Sequence, residues 1–304
     1  MTAPDWLWIP ITLWAAFAQT LRNAAQRHLT RDLGTLGATL VRFLYGLPFA
    51  ALWLWLVARF GNYALPTASL SFAFWVTLGA VSQIAATAFL LATMQERNFA
   101  LGVAYSKTEI IQVAVFGLAF LGDPVTLATA LAVLLGTFGV LLLAPADKSR
   151  PLASLAAGWT SRAGLLGLAS GAGFALSAIG YRGAALTLGE APFLMAAAST
   201  LLVAQAIQTL LLGGWLLWRS REVVLRVFRA WRTSLFAGFM GAAASAGWFT
   251  AFTLETAAHV RTLGLVELVF SMAVARRFFR EKLTPLELGG VGLLAAGIVL
   301  VTLG

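Results

Sequence analysis

Residues 104–116 read AYSKTEIIQVAVF, and two formal charges, Lys107 and Glu109, stand two apart in a stretch that is otherwise largely apolar. On a regular helix that spacing separates them by about 200°, so they cannot form a same-face pair. A lone charge at the centre of a bilayer costs about 2.5–3.5 kcal/mol on insertion scales. Each therefore needs a partner on another helix, on a ligand or in water. Tyr105, Glu109 and Gln112, spaced four and three apart, share a face and form a polar, partly aromatic stripe. A second acid, Glu267, lies in another apolar stretch that has no internal lysine. One simple arrangement brings Lys107 beside Glu267. Such groups suit recognition of a small charged or zwitterionic solute, or proton binding coupled to its movement. The alternative is a buried ion network that only fixes helix packing.

Other polar side chains fall deep in apolar stretches. Gln19, Gln83, Ser177 and Trp248 join Tyr105, Lys107, Glu109 and Glu267 as candidate substrate-binding residues. Gln205, Gln208 and Ser245 suit hydrogen bonds between helices. Asn23 and Tyr181 lie near segment ends, where an interfacial position is expected, and Arg42 is expected to snorkel to the cytoplasmic surface.

The elements that position these residues follow from composition. Of 304 residues, 60% are hydrophobic and 11% charged, and the mean hydropathy is +0.86. Soluble domains carry roughly 25% charged residues, so the reading is an all-α membrane protein. The N-terminus, MTAPDWLWIP, has no basic region, and a cleaved signal peptide is not expected. Net charge is +9, but the basic residues sit mostly between apolar blocks, which points to membrane orientation and away from nucleic acid. There are no cysteines, and His28 and His259 have no ligand cluster around them, so no metal or other cofactor is expected.

A spanning helix needs about 20 apolar residues. Ten segments meet that measure: 6–28, 36–58, 70–93, 98–120, 125–144, 163–187, 192–218, 234–255, 259–279 and 285–303. The linker after the fifth, PADKSRPLASLAAGW, falls near the midpoint and divides the chain into 1–150 and 151–304. A shift of 158 lays segments 4–5 on segments 9–10 without a gap: Glu109 on Glu267, Phe120 on Phe278, Asp123 on Glu281 and Gly139 on Gly297. More weakly, AFAQT at 16–20 matches GFALS at 173–177. A five-helix unit ends on the side opposite its start, so its second copy is inserted upside down. The expected plan is ten transmembrane helices as two inverted five-helix repeats, with a site near the midplane where the halves meet.

Basic residues set the orientation. The loops after segments 1, 3, 5, 7 and 9, with their flanks, hold sixteen Lys or Arg, and the opposite side holds only Arg59, Arg182 and Arg261. The odd-numbered loops are thus expected in the cytoplasm and both termini outside, in a multi-pass protein of the cell (inner) membrane. Trp6, Trp8, Trp53, Trp55, Trp159, Trp215 and Trp218 lie near segment ends, as an aromatic belt would. REVVLRVFRAWR (221–232) puts Glu222, Arg226 and Arg229 on one helical face and Val224, Leu225, Phe228 and Trp231 around the other, the pattern of a short amphipathic helix on the inner leaflet, with a plain cytoplasmic loop as the alternative. Thr284-Pro285-Leu286-Glu287 forms a capping box. Gly167 and Gly171, and Gly238 and Gly241, permit close helix contacts.

No soluble catalytic motif is present. Ser106-Lys107-Thr108 lacks the Gly-rich run of a phosphate loop, and no acid or His cluster sits at one interface, so an integral membrane enzyme or lipid-handling protein is the remoter reading. Residues 263–304, LGLVELVFSMAVARRFFREKLTPLELGGVGLLAAGIVLVTLG, resemble the closing signature of the drug/metabolite transporter superfamily, EamA type. Glu267 stands at the helix glutamate, Arg280-Glu281-Lys282-Leu283-Thr284 at the acidic turn, and Gly289, Gly290, Gly292 and Gly297 in the last helix. Gly122-Asp123-Pro124-Val125-Thr126 is the first-half copy. Arg280 replaces the turn's glycine, and Asp123 its glutamate. Within the superfamily the chain resembles YddG-like aromatic amino-acid exporters. The resemblance implies export of small metabolites from the cytoplasm by alternating access through a central cavity, by a chain that suffices as a monomer. A broad drug or cation exporter is the nearer rival, against which Lys107 argues.

Overall fold

A computed structural model describes residues 3–93, 96, 105–143, 160–270 and 285–303. Phe278, Glu281, Trp159, the midpoint linker, the turn at 280–284 and the capping-box side chains lie outside that description. Among the described residues all regular structure is helical. The elements are α1 Trp8–Leu44, α2 Leu47–Gly61, α3 Leu70–Thr93, α4 Glu109–Phe116 with a π-helical turn at Gly117–Leu121, and α5 Leu127–Leu143. There follow α6 Arg162–Leu186, α7 Phe193–Arg219, α8 Arg221–Arg229, α9 Trp231–Leu254, α10 Ala257–Gly264 and α11 Pro285–Leu303. Among the described residues, five stretches are long and apolar enough to cross a membrane: His28–Gly61, Leu70–Thr93, Arg162–Leu186, Phe193–Arg219 and Trp231–Leu254. Shorter apolar helices occupy Glu109–Leu121, Leu127–Leu142 and Leu288–Leu303. Large apolar side chains such as Trp14, Trp55, Phe74, Phe138 and Leu210 stand exposed on these helices, as lipid-facing residues would. The chain is a helical, multi-pass membrane protein.

Inside α1 the backbone leaves the helix at Gly34 (φ 70, ψ 176), a conformation open essentially to glycine alone. This separates the first two predicted segments, at the end of the expected turn. Helix persists to that glycine, so the turn is shorter than its polar sequence suggests.

The chain forms two compact units. Neither is a sequence half; each draws on both. The first comprises Met1–Ile84 and Ser177–Glu255, the second Ala85–Leu176 and Thr256–Gly304. In the first unit α1 lies close on α9. A methyl group at Gly247 would come within 2.8 Å of Ala15 Cβ, and one at Gly238 within 2.4 Å of Tyr45 Cβ. α3 and α6 touch backbone to backbone, since a methyl at Gly180 would sit 2.7 Å from Gly79 N. Small residues supply such contact where lipid gives helices no hydrophobic reason to associate. Val57, Met195 and Ala198 join α2 to α7. Leu40, Phe43, Leu212, Leu216 and Val224 join α1, α7 and α8. Arg182 donates to Phe252 O at 2.7 Å and Glu255 O at 2.5 Å, satisfying carbonyls at the end of α9.

α8 forms as a helix where the amphipathic pattern suggested one. Val224 and Val227 are buried, whereas Leu225, Phe228 and Trp231 are exposed. Docking onto α1 uses Val223 and Val227, both of which a methyl at Gly37 would meet. Trp8, expected in the aromatic belt, is buried.

In the second unit α5 and α11 form a reciprocal contact. A methyl at Gly139 would lie 2.8 Å from Gly290 O and 2.9 Å from Leu294 N, and one at Gly297 would lie 2.9 Å from Ala132 O and 3.1 Å from Gly136 N. Under the 158-residue shift these contacts exchange: Gly139 maps to Gly297, Ala132 to Gly290 and Gly136 to Leu294. Advancing from Ala132 to Gly139 retreats from Gly297 to Gly290, so the two helices pack antiparallel.

Gly34 gives a direct test of the α1 reading. Gly34→Ala should destabilise the protein by about 1–3 kcal/mol, read as a lower Tm in detergent. Gly289→Ala, at an exposed helical position with nothing within 4 Å, should leave Tm unchanged or raise it.

Candidate functional site

The fourth and ninth predicted segments are both interrupted. Tyr105 and Ser106 are helical, Lys107 and Thr108 form a turn, and α4 begins at Glu109. α10 ends at Gly264, Leu265 is a turn, and helix resumes at 266–270. Lys107 and Leu265 are related by the 158-residue shift, so the interruptions coincide in the repeat. Each is a tightening to three-residue hydrogen bonding. Thr108 N donates to Tyr105 O at 3.2 Å and Leu265 N to Thr262 O at 3.2 Å. Ile110 N to Lys107 O and Leu268 N to Leu265 O are repeat-equivalent bonds. The Thr108 hydroxyl also donates to Tyr105 O, at 2.7 Å. Such turns inside a helix mark hinges and functional sites.

The charges sit at these interruptions. Lys107 Nζ contacts Glu267 Oε1, and Arg261 Nη1 lies 3.6 Å from Glu109 Oε1. The expected Lys107–Glu267 pairing is present. Each acid takes its cation from the other of these two segments. The side chains of Glu109, Arg261 and Glu267 are at most 9% exposed, and that of Lys107 17%. Arg261, read from sequence as an outer-side loop cation, is instead buried within α10. Its position near a segment boundary hid it. Had it been placed in the span, Glu109 would have required such a partner.

Neighbouring backbone closes on this centre. A methyl at Gly171 of α6 would lie 2.9 Å from Ser106 O and 3.4 Å from Glu109 N. Gln112 Nε2 is 3.5 Å from the Thr108 hydroxyl, and Tyr105 is fully buried. The His259 ring, Nε2 2.8 Å from Thr129 Oγ1, ties α10 to α5.

The remaining predicted residues, Gln19, Gln83, Ser177 and Trp248, lie in the first unit. Trp248 Nε1 donates to Gln19 Oε1 at 3.0 Å. Gln208 Nε2 donates to Gln83 Oε1 at 2.8 Å and to Tyr181 Oη at 2.9 Å, and Tyr181 Oη donates to Gln83 Oε1 at 3.0 Å. Tyr181, expected at the interface, is buried in this network and stacks 4.2 Å from Phe249. Ser177 is fully buried, and its hydroxyl has no hydrogen-bond partner among the described residues. Arg42, expected to snorkel, is also buried. A methyl at Gly241 would meet its stem at 3.5 Å and that of Arg22 at 3.4 Å. A largely apolar groove of about 380 Å³, lined by Trp14, Phe49, Trp53 and Phe239 among others, belongs to this unit and carries no charged side chain.

Residues 161–303 match the EamA-like transporter family. The match lies within the second half of the chain. A crystal structure of a protein matches with a TM-score of 0.68 and 14% identity, covering 97% of this chain and 96% of its own. At that identity the likeness shows the fold alone. The comparison with curated proteins returns no match.

Removing one member of a buried ion pair costs far more than removing one hydroxyl from a satisfied network. Arg261→Gln should lower stability by about 3 kcal/mol or more, and Tyr181→Phe by about 1 kcal/mol. Thermal unfolding in detergent measures both, and the reverse order would contradict the assignment.

Proposed function

We propose that this EamA-like protein is a secondary transporter that exports amino acids, aromatic ones included, or similar small metabolites from the cytoplasm. It works by alternating access between two inverted five-helix repeats. The observation that carries the reading is the pair of interrupted helices at repeat-equivalent positions, each bearing an acid that is answered by a cation of the other repeat. In secondary transporters, discontinuous helices in corresponding positions of the two halves mark the solute site. The antiparallel, reciprocal packing of α5 and α11 supports inversion.

In this proposal Tyr105, Lys107, Glu109 and Glu267 contact the solute's charged groups, and Gln19, Gln83, Ser177 and Trp248 supply polar and aromatic contacts along its path. The chain resides in the inner membrane with its odd-numbered loops cytoplasmic and both termini outside. It functions as a monomer. An exporter of organic cations would need an acid free to meet its substrate, and pairing of both acids with cations argues against that rival.

Proteoliposomes containing the purified protein should move labelled amino acids saturably, and Glu109→Ala should slow that movement by about tenfold or more. Movement of organic cations with none of any amino acid would overturn the reading in favour of the rival.

A further inference from the structure

We infer that α8 and its flanks form a binding surface for anionic phospholipid, which holds this end of the first unit to one leaflet of the membrane. Lipid binding here does not depend on what the protein carries.

Residues 219–232 run from the end of α7 to the start of α9, and both of those helices are long and apolar enough to cross a membrane. The short piece between two such spans lies at a membrane surface. Neither Ser220 nor Ala230 keeps helical backbone angles, so α8 is a separate helix and extends neither span.

α8 has three faces. Val223, Val224 and Val227 turn toward the protein. Val224 packs with Leu40, Phe43, Leu212 and Leu216, and the carbonyl of the fully buried Val227 accepts from Tyr45 Oη at 3.2 Å. Arg226 Nη1 donates to Asp32 O of α1 at 3.3 Å. Glu222, four residues before Arg226, and Arg229, three after it, share that polar flank. Leu225 and Phe228, three apart, take the remaining flank, and each is 54% exposed. Trp218, 83% exposed, and the exposed Trp231 stand at either end of the helix. A helix docked by one side, with a basic side and an open apolar side, has the form of one lying in the headgroup region of a bilayer.

Charge selects the lipid. Residues 219–232 hold Arg219, Arg221, Arg226, Arg229 and Arg232 against one acid, Glu222. All six are exposed, and among the described residues none of them enters an ion pair. Arg232 lies 5.4 Å over the Trp231 ring. Arg221 and Arg229 stand one helical turn before and after Leu225, at the border where acyl chain gives way to phosphate. The guanidinium fork matches a phosphate. A zwitterionic headgroup brings its own cation, so only a lipid of net negative charge balances this excess of arginine. Each basic residue at such a surface favours the anionic lipid by about fivefold.

The chain has no cysteine, so Leu225→Cys gives a single attachment point for a bimane fluorophore. The labelled protein is placed in vesicles of four parts phosphatidylcholine to one part phosphatidylglycerol. Bromine quenchers are carried on the acyl chains either of the phosphatidylglycerol or of an equal fraction of the phosphatidylcholine. Quenching should show a preference for phosphatidylglycerol of about fivefold or more, and salt at about 1 M should reduce it. Arg221→Gln/Arg229→Gln in the labelled chain should bring the preference close to one while brominated phosphatidylcholine still quenches. Equal quenching by the two lipids in the labelled chain with all five arginines would mean a surface that takes any acyl chain, and would overturn the inference. Absence of quenching by either lipid would mean that α8 meets water or a soluble partner, and would overturn it as well. So would a preference that survives both salt and the double substitution. Should the double variant not fold, the comparison of the two lipids and its salt dependence still decide.

Discussion

A charge inside a helical membrane protein must find its opposite within the protein, because lipid offers none and water is scarce. The second unit is organised around that requirement. Two glutamates and two cations are placed where their helices tighten, and each acid reaches across to a cation of the other repeat. The tight turns at Lys107–Thr108 and Leu265 place backbone and charge at equivalent points of the two copies. Gly171 then lets α6 approach the first of these turns within van der Waals contact.

Glycine does the rest of the positioning. With no hydrophobic force between helices in lipid, close association depends on residues that let backbones touch. Gly139 and Gly297 join α5 to α11 through contacts that exchange under the repeat, and Gly79 and Gly180 join α3 to α6. The reciprocity in the second unit has a simple physical source. Two similar segments facing one another antiparallel present similar surfaces, so a small residue that suits one contact suits its mate. Gly34 serves differently, by adopting a backbone conformation that separates two helices.

Much of this was legible in the residues alone. Composition gives the class, the 158-residue repeat pairs Glu109 with Glu267, and helical geometry forbids a Lys107–Glu109 pair and so calls for partners elsewhere. Those three steps make a Lys107–Glu267 contact one simple arrangement, and the pair is present. Arg261, Arg42 and Tyr181 were misplaced for a common reason. Each lies where hydropathy fixes a segment end only to within a turn, and a displacement of one turn separates an interfacial side chain from a buried one. The helix interruptions were hidden because neither contains proline; Ser106, Thr108 and Gly264 are the only local hints. The Gln83–Tyr181–Gln208 network depends on three distant segments meeting, which no local pattern encodes.

Lys107 and Glu267 sustain one another at this centre, and a double-mutant cycle on that pair tests this most directly. Lys107→Gln, Glu267→Gln and the double variant would be compared by unfolding in detergent. Mutual support requires a coupling energy of about 2 kcal/mol or more, with the double variant more stable than either single one. Effects that add to within about 0.5 kcal/mol would contradict it.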